Sequence, residues 1–154
     1  MWDARCVLGW EHARRGKGKP ADACRVGGRK EDAMTTQASG GLDFEVLRQA
    51  IEGRDAETLV GLYADDAEVI TVNRSSTPSS PNVLRGKEAI GSFLRGVCER
   101  EMTHRVENEV LGEGRIAFQE ACEYPDGVRV LGAETLEVRD GKIVRQVNVE
   151  AWDG

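Results

Sequence analysis

Residues 55–73, DAETLVGLYADDAEVITVN, pass from a helical to a strand period across a few polar or small residues, and the rest of the chain is arranged around that corner. Ala56, Leu59, Val60 and Tyr63 recur at i, i+3, i+4 and i+7, the spacing of one buried helix face, and Asp55 is placed to cap the first turn. Ala64, Asp65 and Asp66 read as a turn whose side chains bond their own backbone. The β-branched run Val69, Ile70, Thr71 and Val72 then reads as strand.

A chain of 154 residues with 40% hydrophobic content supports one domain with a real core and hardly two. Charge is unevenly spread. Residues 1–33 hold 8 Lys and Arg against 5 Asp and Glu, a net of +3, whereas residues 34–154 hold 13 against 22, a net of −9, which sums to the chain's −6. An acidic domain repels phosphate backbones, so nucleic acid and anionic membrane are excluded as main partners, and an uncharged or cationic small molecule is left open. No apolar run approaches the length of a bilayer span or of a signal-peptide core. Cys6, Cys24, Cys98 and Cys122 form no C-x-x-C pair, and His12 and His104 are not spaced for zinc, so the cysteines read as reduced thiols and the protein as cytoplasmic.

Residues 1–40 carry no sustained period and are rich in Arg and Gly up to Met34, so a disordered extension is expected there, with Met34 as the native start and the domain over residues 41–154. Within that domain Phe44, Leu47 and Ile51 mark a first helix ending at Gly53, which suits a left-handed C′ position. After the strand, residues 74–85 contain SSTPSSP and read as a loop long enough to be a lid. Ile90, Phe93, Leu94, Val97 and Cys98 mark a helix over 87–99. Four extended runs follow, 103–111, 115–124, 128–139 and 142–152. Their turns are Gly112-Glu113-Gly114, Pro125-Asp126-Gly127 and Asp140-Gly141, which predicts an antiparallel meander. Gly112-x-Gly114 joins strand to strand, so it offers no helix N-terminus to a phosphate. With no G-x-S-x-G or H-E-x-x-H, and one histidine in the domain, neither a nucleophilic serine nor a multi-histidine metal site is expected.

This order of elements resembles the nuclear transport factor 2-like superfamily, closest to its SnoaL-like and ketosteroid-isomerase-like branch. The resemblance is carried by Leu62-Tyr63-Ala64-Asp65-Asp66-Ala67-Glu68-Val69, by Arg85-Gly86-Lys87-Glu88-Ala89-Ile90 and by Val138-Arg139-Asp140-Gly141-Lys142-Ile143-Val144. It implies an α+β, cystatin-like fold: a curved antiparallel sheet wrapped around helices to form a cone with a mostly apolar pocket, often a dimer. Steroid-isomerase chemistry does not carry over with it. The base position falls at about Thr71 and the oxyanion-hole tyrosine near Leu47, and only the second oxyanion-hole acid has a counterpart, Glu134.

Alternation along the strands gives an independent reading, since every second residue shares a face. Ile116, Phe118, Glu120, Cys122 and Tyr124 form one face, and Val128, Val130, Gly132, Glu134, Leu136 and Val138 the next. Met102, His104, Val106, Asn108 and Val110 form a third. Each apolar row holds polar groups, and a buried carboxylate must be paired, protonated or in a wet pocket. His104, Glu120 and Glu134 are therefore the candidate catalytic residues, with Tyr63, Asn108, Tyr124 and Trp152 as ligand contacts and no metal or cofactor. The structural alternatives are an arginine ion pair for each glutamate and a satisfied core histidine for His104. Two functions stay open. One is binding of a small, largely apolar molecule; the other is cofactor-free acid–base catalysis of isomerase, cyclase, dehydratase or epoxide hydrolase type. Ile143, Val147 and Val149 on one face of the last strand, with Val144 and Trp152 on the other, predict a homodimer through the sheet face away from the helices.

Overall fold

The computed structural model describes residues 40–153; the expectations for residues 1–39, including the start at Met34, lie outside the described residues. Three helices, α1 (Phe44–Glu52), α2 (Ala56–Leu62) and α3 (Lys87–Cys98), accompany six strands. These are β1 (Tyr63–Val72), β2 (Asn82–Arg85), β3 (Thr103–Gly112), β4 (Arg115–Glu123), β5 (Arg129–Arg139) and β6 (Lys142–Trp152). They form one curved sheet in the order β2-β1-β6-β5-β4-β3, so the α+β class and the four-strand meander are as the sequence indicates. The sheet is mixed, because β1 runs parallel to β6 while every other pairing is antiparallel.

Asp43 and Asp55 cap α1 and α2, accepting from the backbone N–H of Glu45 at 3.0 Å and of Thr58 at 3.1 Å. At the end of α1 the left-handed residue is Arg54 (φ 55°), with Gly53 still right-handed at φ −82°. The N–H of Arg54 bonds Ile51 O and that of Asp55 bonds Ala50 O, a Schellman ending in which Arg54 takes the position expected of Gly53. Tyr63 does not extend α2; its extended backbone (φ −86°, ψ 145°) opens β1, and Ala64-Asp65-Asp66 are strand instead of turn. The predicted 74–85 loop ends in the short edge strand β2, which pairs Val83 and Leu84 with Ile70 and Val69.

One core joins helices and sheet. Leu42, Phe44, Leu47 and Ala50 meet Leu59, Ile90, Val69, Val106, Ile116, Phe118, Leu136, Val138 and Ile143, all buried. Gly91 lets α3 approach α2, since a Cβ there would stand 3.2 Å from Val60 Cγ2. Two irregularities decide which side chains face this core. In β3, Asn108 and Glu109 together oppose the single residue Phe118, with Asn108 at φ 56°, so the parity reverses beyond the bulge. In β6, register shifts between Arg145 and Ile143, so Ile143 faces inward together with Gln146, and Val147 and Val149 face outward. The predicted grouping of Ile143 with Val147 and Val149 is thereby corrected.

Candidate functional site

The concave face of the sheet, α1 to α3 and the loop before β2 enclose a cavity of about 270 Å³. Strand register places its floor in rows. Glu120, Gly132 and Glu150 lie directly opposite one another across β4, β5 and β6; Phe118, Glu134 and Asn148 form the next row, and Ile116, Leu136 and Gln146 the one beyond. His104 of β3 pairs with Cys122 of β4. His104, Glu120 and Glu134, each selected from a different strand, thus line a single cavity. Leu47, Ile51, Leu59, Phe93 and Val130 provide apolar wall.

Glu134 is 3% exposed and accepts from Gln146 Nε2 at 2.8 Å, while Gln146 Oε1 accepts from the Tyr63 hydroxyl. Burial foremost, then the negative charge of Glu120, raises the Glu134 carboxyl to about 8; the Gln146 hydrogen bond pulls the other way. Glu134 therefore holds its proton at neutral pH. Burial also raises the Tyr63 hydroxyl, with Glu134 and Glu120 adding to the effect, so Tyr63 is a donor and never a phenolate here.

His104 Nδ1 lies 2.6 Å from Glu120 Oε1, and its other ring nitrogen, Nε2, is buried with no partner among the described residues. The Cys122 thiol donates to Glu120 Oε1 at 3.4 Å and lies 3.5 Å from that same Nδ1. A nucleophile relay needs the thiol and the carboxylate on opposite ring nitrogens, so this cluster is not one. Burial, followed by the charge and hydrogen bond of Glu120, raises the Cys122 thiol further from reactivity. The three donor atoms do lie within 4.8 Å of one another, a mixed N, O and S set able to hold a metal ion, which counting histidines alone does not anticipate.

Among the described residues Glu150 is held only by neutral donors: Asn73 Nδ2, Asn148 Nδ2 and Trp152 Nε1, each at 3.0 Å. Asn73 also accepts from the N–H groups of Ser75 and Ser76, which ties the loop to this carboxylate. Among the described residues no Lys or Arg pairs with Glu120, Glu134 or Glu150, so no arginine of these residues forms the ion pair that is the alternative for the first two. Tyr124 and Trp152 stack at 6.1 Å on the cavity wall, with Arg100 donating to the Tyr124 hydroxyl at 3.4 Å.

Asn108 is the candidate the structure removes. The bulge turns it outward to bond Gln119 at 2.7 Å on the opposite face of the sheet, away from Glu120. Gln146, Asn148, Glu150 and Thr71 were not selected from the sequence yet line the cavity. The alternation Gln146-x-Asn148-x-Glu150-x-Trp152 is the signal that could have found the β6 group, and it looks like a solvated face until the β6 bulge puts Ile143 beside it.

A curved mixed sheet closed over three helices around a polar-floored pocket defines the nuclear transport factor 2-like class. The SnoaL-like domain family matches residues 44–146, and the chain belongs to that family. No curated protein matches it. Among solved structures it is similar to an NTF2-like protein of unknown function from Mesorhizobium loti, at 18% identity and TM-score 0.61 over 70% of this chain and 89% of that one. It is also similar to a SnoaL-like protein of unknown function from Burkholderia thailandensis, at 21% and 0.52 over 71% and 90%. A third is an LEH-like epoxide hydrolase from M. tuberculosis, at 17% and 0.53 over 70% and 79%. At these identities the likeness is one of fold.

Proposed function

We propose that the protein binds a small, largely apolar molecule in this cavity, with the polar groups of the floor fixing its orientation. The observation that carries the reading is the convergence of His104, Glu120 and Glu134, from three strands, on one cavity with an apolar wall. A core built for packing alone would place apolar side chains at these positions, because each buried polar group costs desolvation that only a partner returns. Two-dimensional amide NMR against a panel of apolar monofunctional compounds tests it. Shifts clustered on β4 to β6 and removed by Phe93→Arg, which puts a charge into the wall, are expected; a panel that moves none of these resonances overturns the reading.

A second reading, cofactor-free acid–base catalysis, is favoured by one pairing: a neutral Glu134 able to donate a proton and a His104–Glu120 pair able to accept one, on the same floor. For a carbonyl substrate, His104 would take the α-proton while the Glu134 O–H bonds the oxygen that gains charge. The epoxide hydrolase named among the similar structures lends this only a shared fold. Deuterium incorporation into a cyclic ketone in heavy water, abolished in both Glu134→Gln and His104→Asn, is the expected result. Exchange equal to buffer alone would leave binding as the function.

The reading extends to a cytoplasmic homodimer. Cys98 and Cys122 are unpaired thiols, and among the described residues no helix is long and apolar enough to cross a membrane. The convex sheet face exposes Val110, Leu131 and Val149 side by side with Ala117 and Ala133, a surface a second copy could cover.

A further inference from the structure

The rows of the sheet leave a notch in the cavity floor. Gly132 sits directly between Glu120 on one neighbouring strand and Glu150 on the other, so two carboxylate-bearing positions flank a residue with no side chain. With strands about 4.8 Å apart, their Cα atoms stand roughly 10 Å from one another, and the strand between them puts no Cβ into the floor. A Cβ added at Gly132 would meet three atoms, all oxygens: Asn148 Oδ1 and Glu134 Oε1 at 3.3 Å each, and the backbone O of Glu120 at 3.7 Å.

Asn148 Oδ1 is buried and has no hydrogen-bond partner among the described residues. Its orientation is set, because the Nδ2 end of the same amide is committed to Glu150 Oε1. A buried acceptor left unpaired costs about 1–3 kcal/mol, so a donor belongs opposite it. The charge around the notch has one sign. Among the described residues Glu150 is surrounded by neutral donors, Glu120 has only His104 and Cys122, and no Lys or Arg pairs with any of the three glutamates. Arg100, the cationic lining residue, is exposed at the mouth and bonded to Tyr124.

We propose that the Gly132 notch is an ammonium subsite, and that the ligand is a small amine whose N–H groups face Asn148 Oδ1 and the flanking glutamates while its apolar body lies against the wall. An ammonium supplies three donors and a positive charge to Asn148 Oδ1 and the carboxylates of Glu120 and Glu150; an alcohol supplies one donor and no charge, and a carboxylate supplies neither. The inference rests on the reading of the cavity as a ligand site.

Calorimetric titration with matched probes tests it: benzylamine, benzyl alcohol and benzoate at pH 7.5, against the unaltered full chain and Glu150→Gln. The amine is expected to bind at least tenfold more tightly than the alcohol, with benzoate weakest, and the advantage over the alcohol to shrink several-fold in Glu150→Gln. Gly132→Ala, which fills the notch, should remove the amine advantage as well. Equal affinity for amine and alcohol would overturn the ammonium subsite and leave the binding function standing. An amine advantage untouched in both variants would place recognition elsewhere and also overturn it. Failure of all three probes to bind would count against the cavity reading itself.

Discussion

His104 and Glu120 meet across β3 and β4 with Nδ1 and Oε1 2.6 Å apart, and the Cys122 thiol contacts both of those same atoms. The carboxylate is therefore shared between an imidazole and a thiol. Its negative charge opposes a thiolate at Cys122.

Reactivity of Cys122 should report this sharing. Burial raises the thiol first and Glu120 second, so Glu120→Gln removes the second cause only. Alkylation of Cys122 by iodoacetamide at pH 8.5 should speed up several-fold in that variant, by roughly tenfold for each unit by which the thiol falls. Peptide mass spectrometry can follow Cys98 in the same sample as the reference, since burial is the main cause of its raised thiol. An unchanged or slower Cys122 rate would contradict the contact.

Glu134 makes stability depend on pH in a direction unusual for a carboxylate. Its folded value, about 8, lies above the unfolded one near 4.5, so between those values the folded state holds a proton that the unfolded state has released. This contribution is fully present below about pH 4.5, falls as pH rises towards 8 and is flat beyond. Glu134→Gln abolishes the dependence. The melting temperature of the unaltered protein minus that of the variant should decline steadily from pH 5 to pH 8, corresponding to several kcal/mol at most. A difference that stays constant over that window would show that Glu134 is ionised in the folded protein.

Most of the fold was legible because its elements rest on local signals: the cap at Asp55, the turn at Asp140-Gly141, the face of α3, the alternation of β4 and β5. Glu120 and Glu134 stood out for the same reason, as carboxylates in unbroken alternating rows. What was not legible lies downstream of two insertions. Asn108 looks inward by counting in twos from His104, and only the unpaired residue at the bulge turns it outward. Ile143 looks like a companion of Val147 until the β6 irregularity reverses it, which hid Gln146, Asn148 and Glu150 from the candidate site. The parallel β1 to β6 pairing joins residues some 80 apart and leaves no local trace, and β2 is too short and too polar to show a period.

Tyr63→Phe isolates the hydroxyl that orders the Glu134 side of the floor. The ring is buried at the head of β1, so packing is retained, while Gln146 Oε1 loses its donor. An unpaired buried acceptor predicts a loss of about 1–3 kcal/mol, read as a lower urea midpoint at unchanged slope. The ligand-free amide spectrum should shift at Gln146 and Glu134. A midpoint within error of the unaltered protein would mean that Gln146 finds water or another donor instead.

The convex face gives the last expectation, that two copies associate through the sheet. Val110, Ala117, Thr135 and Val147 form one row across β3 to β6, and Gln119, Ala133 and Val149 the next. Val110 is 66% exposed and Val149 49%, although the same face carries charge along its rim at Arg115, Glu137 and Arg145, which bond among themselves. A largely apolar strip, interrupted by Thr135 and Gln119 and bordered by self-satisfied ion pairs, suits an isologous contact, in which each copy covers the other's strip with the same residues. Light scattering at micromolar concentration should return twice the 16.9 kDa chain mass, and Val149→Lys combined with Leu131→Lys should return the single mass with the amide spectrum of the cavity unchanged. A monomer from the unaltered chain at that concentration would sink the dimer and leave the cavity readings untouched, because no residue of the strip lines the cavity.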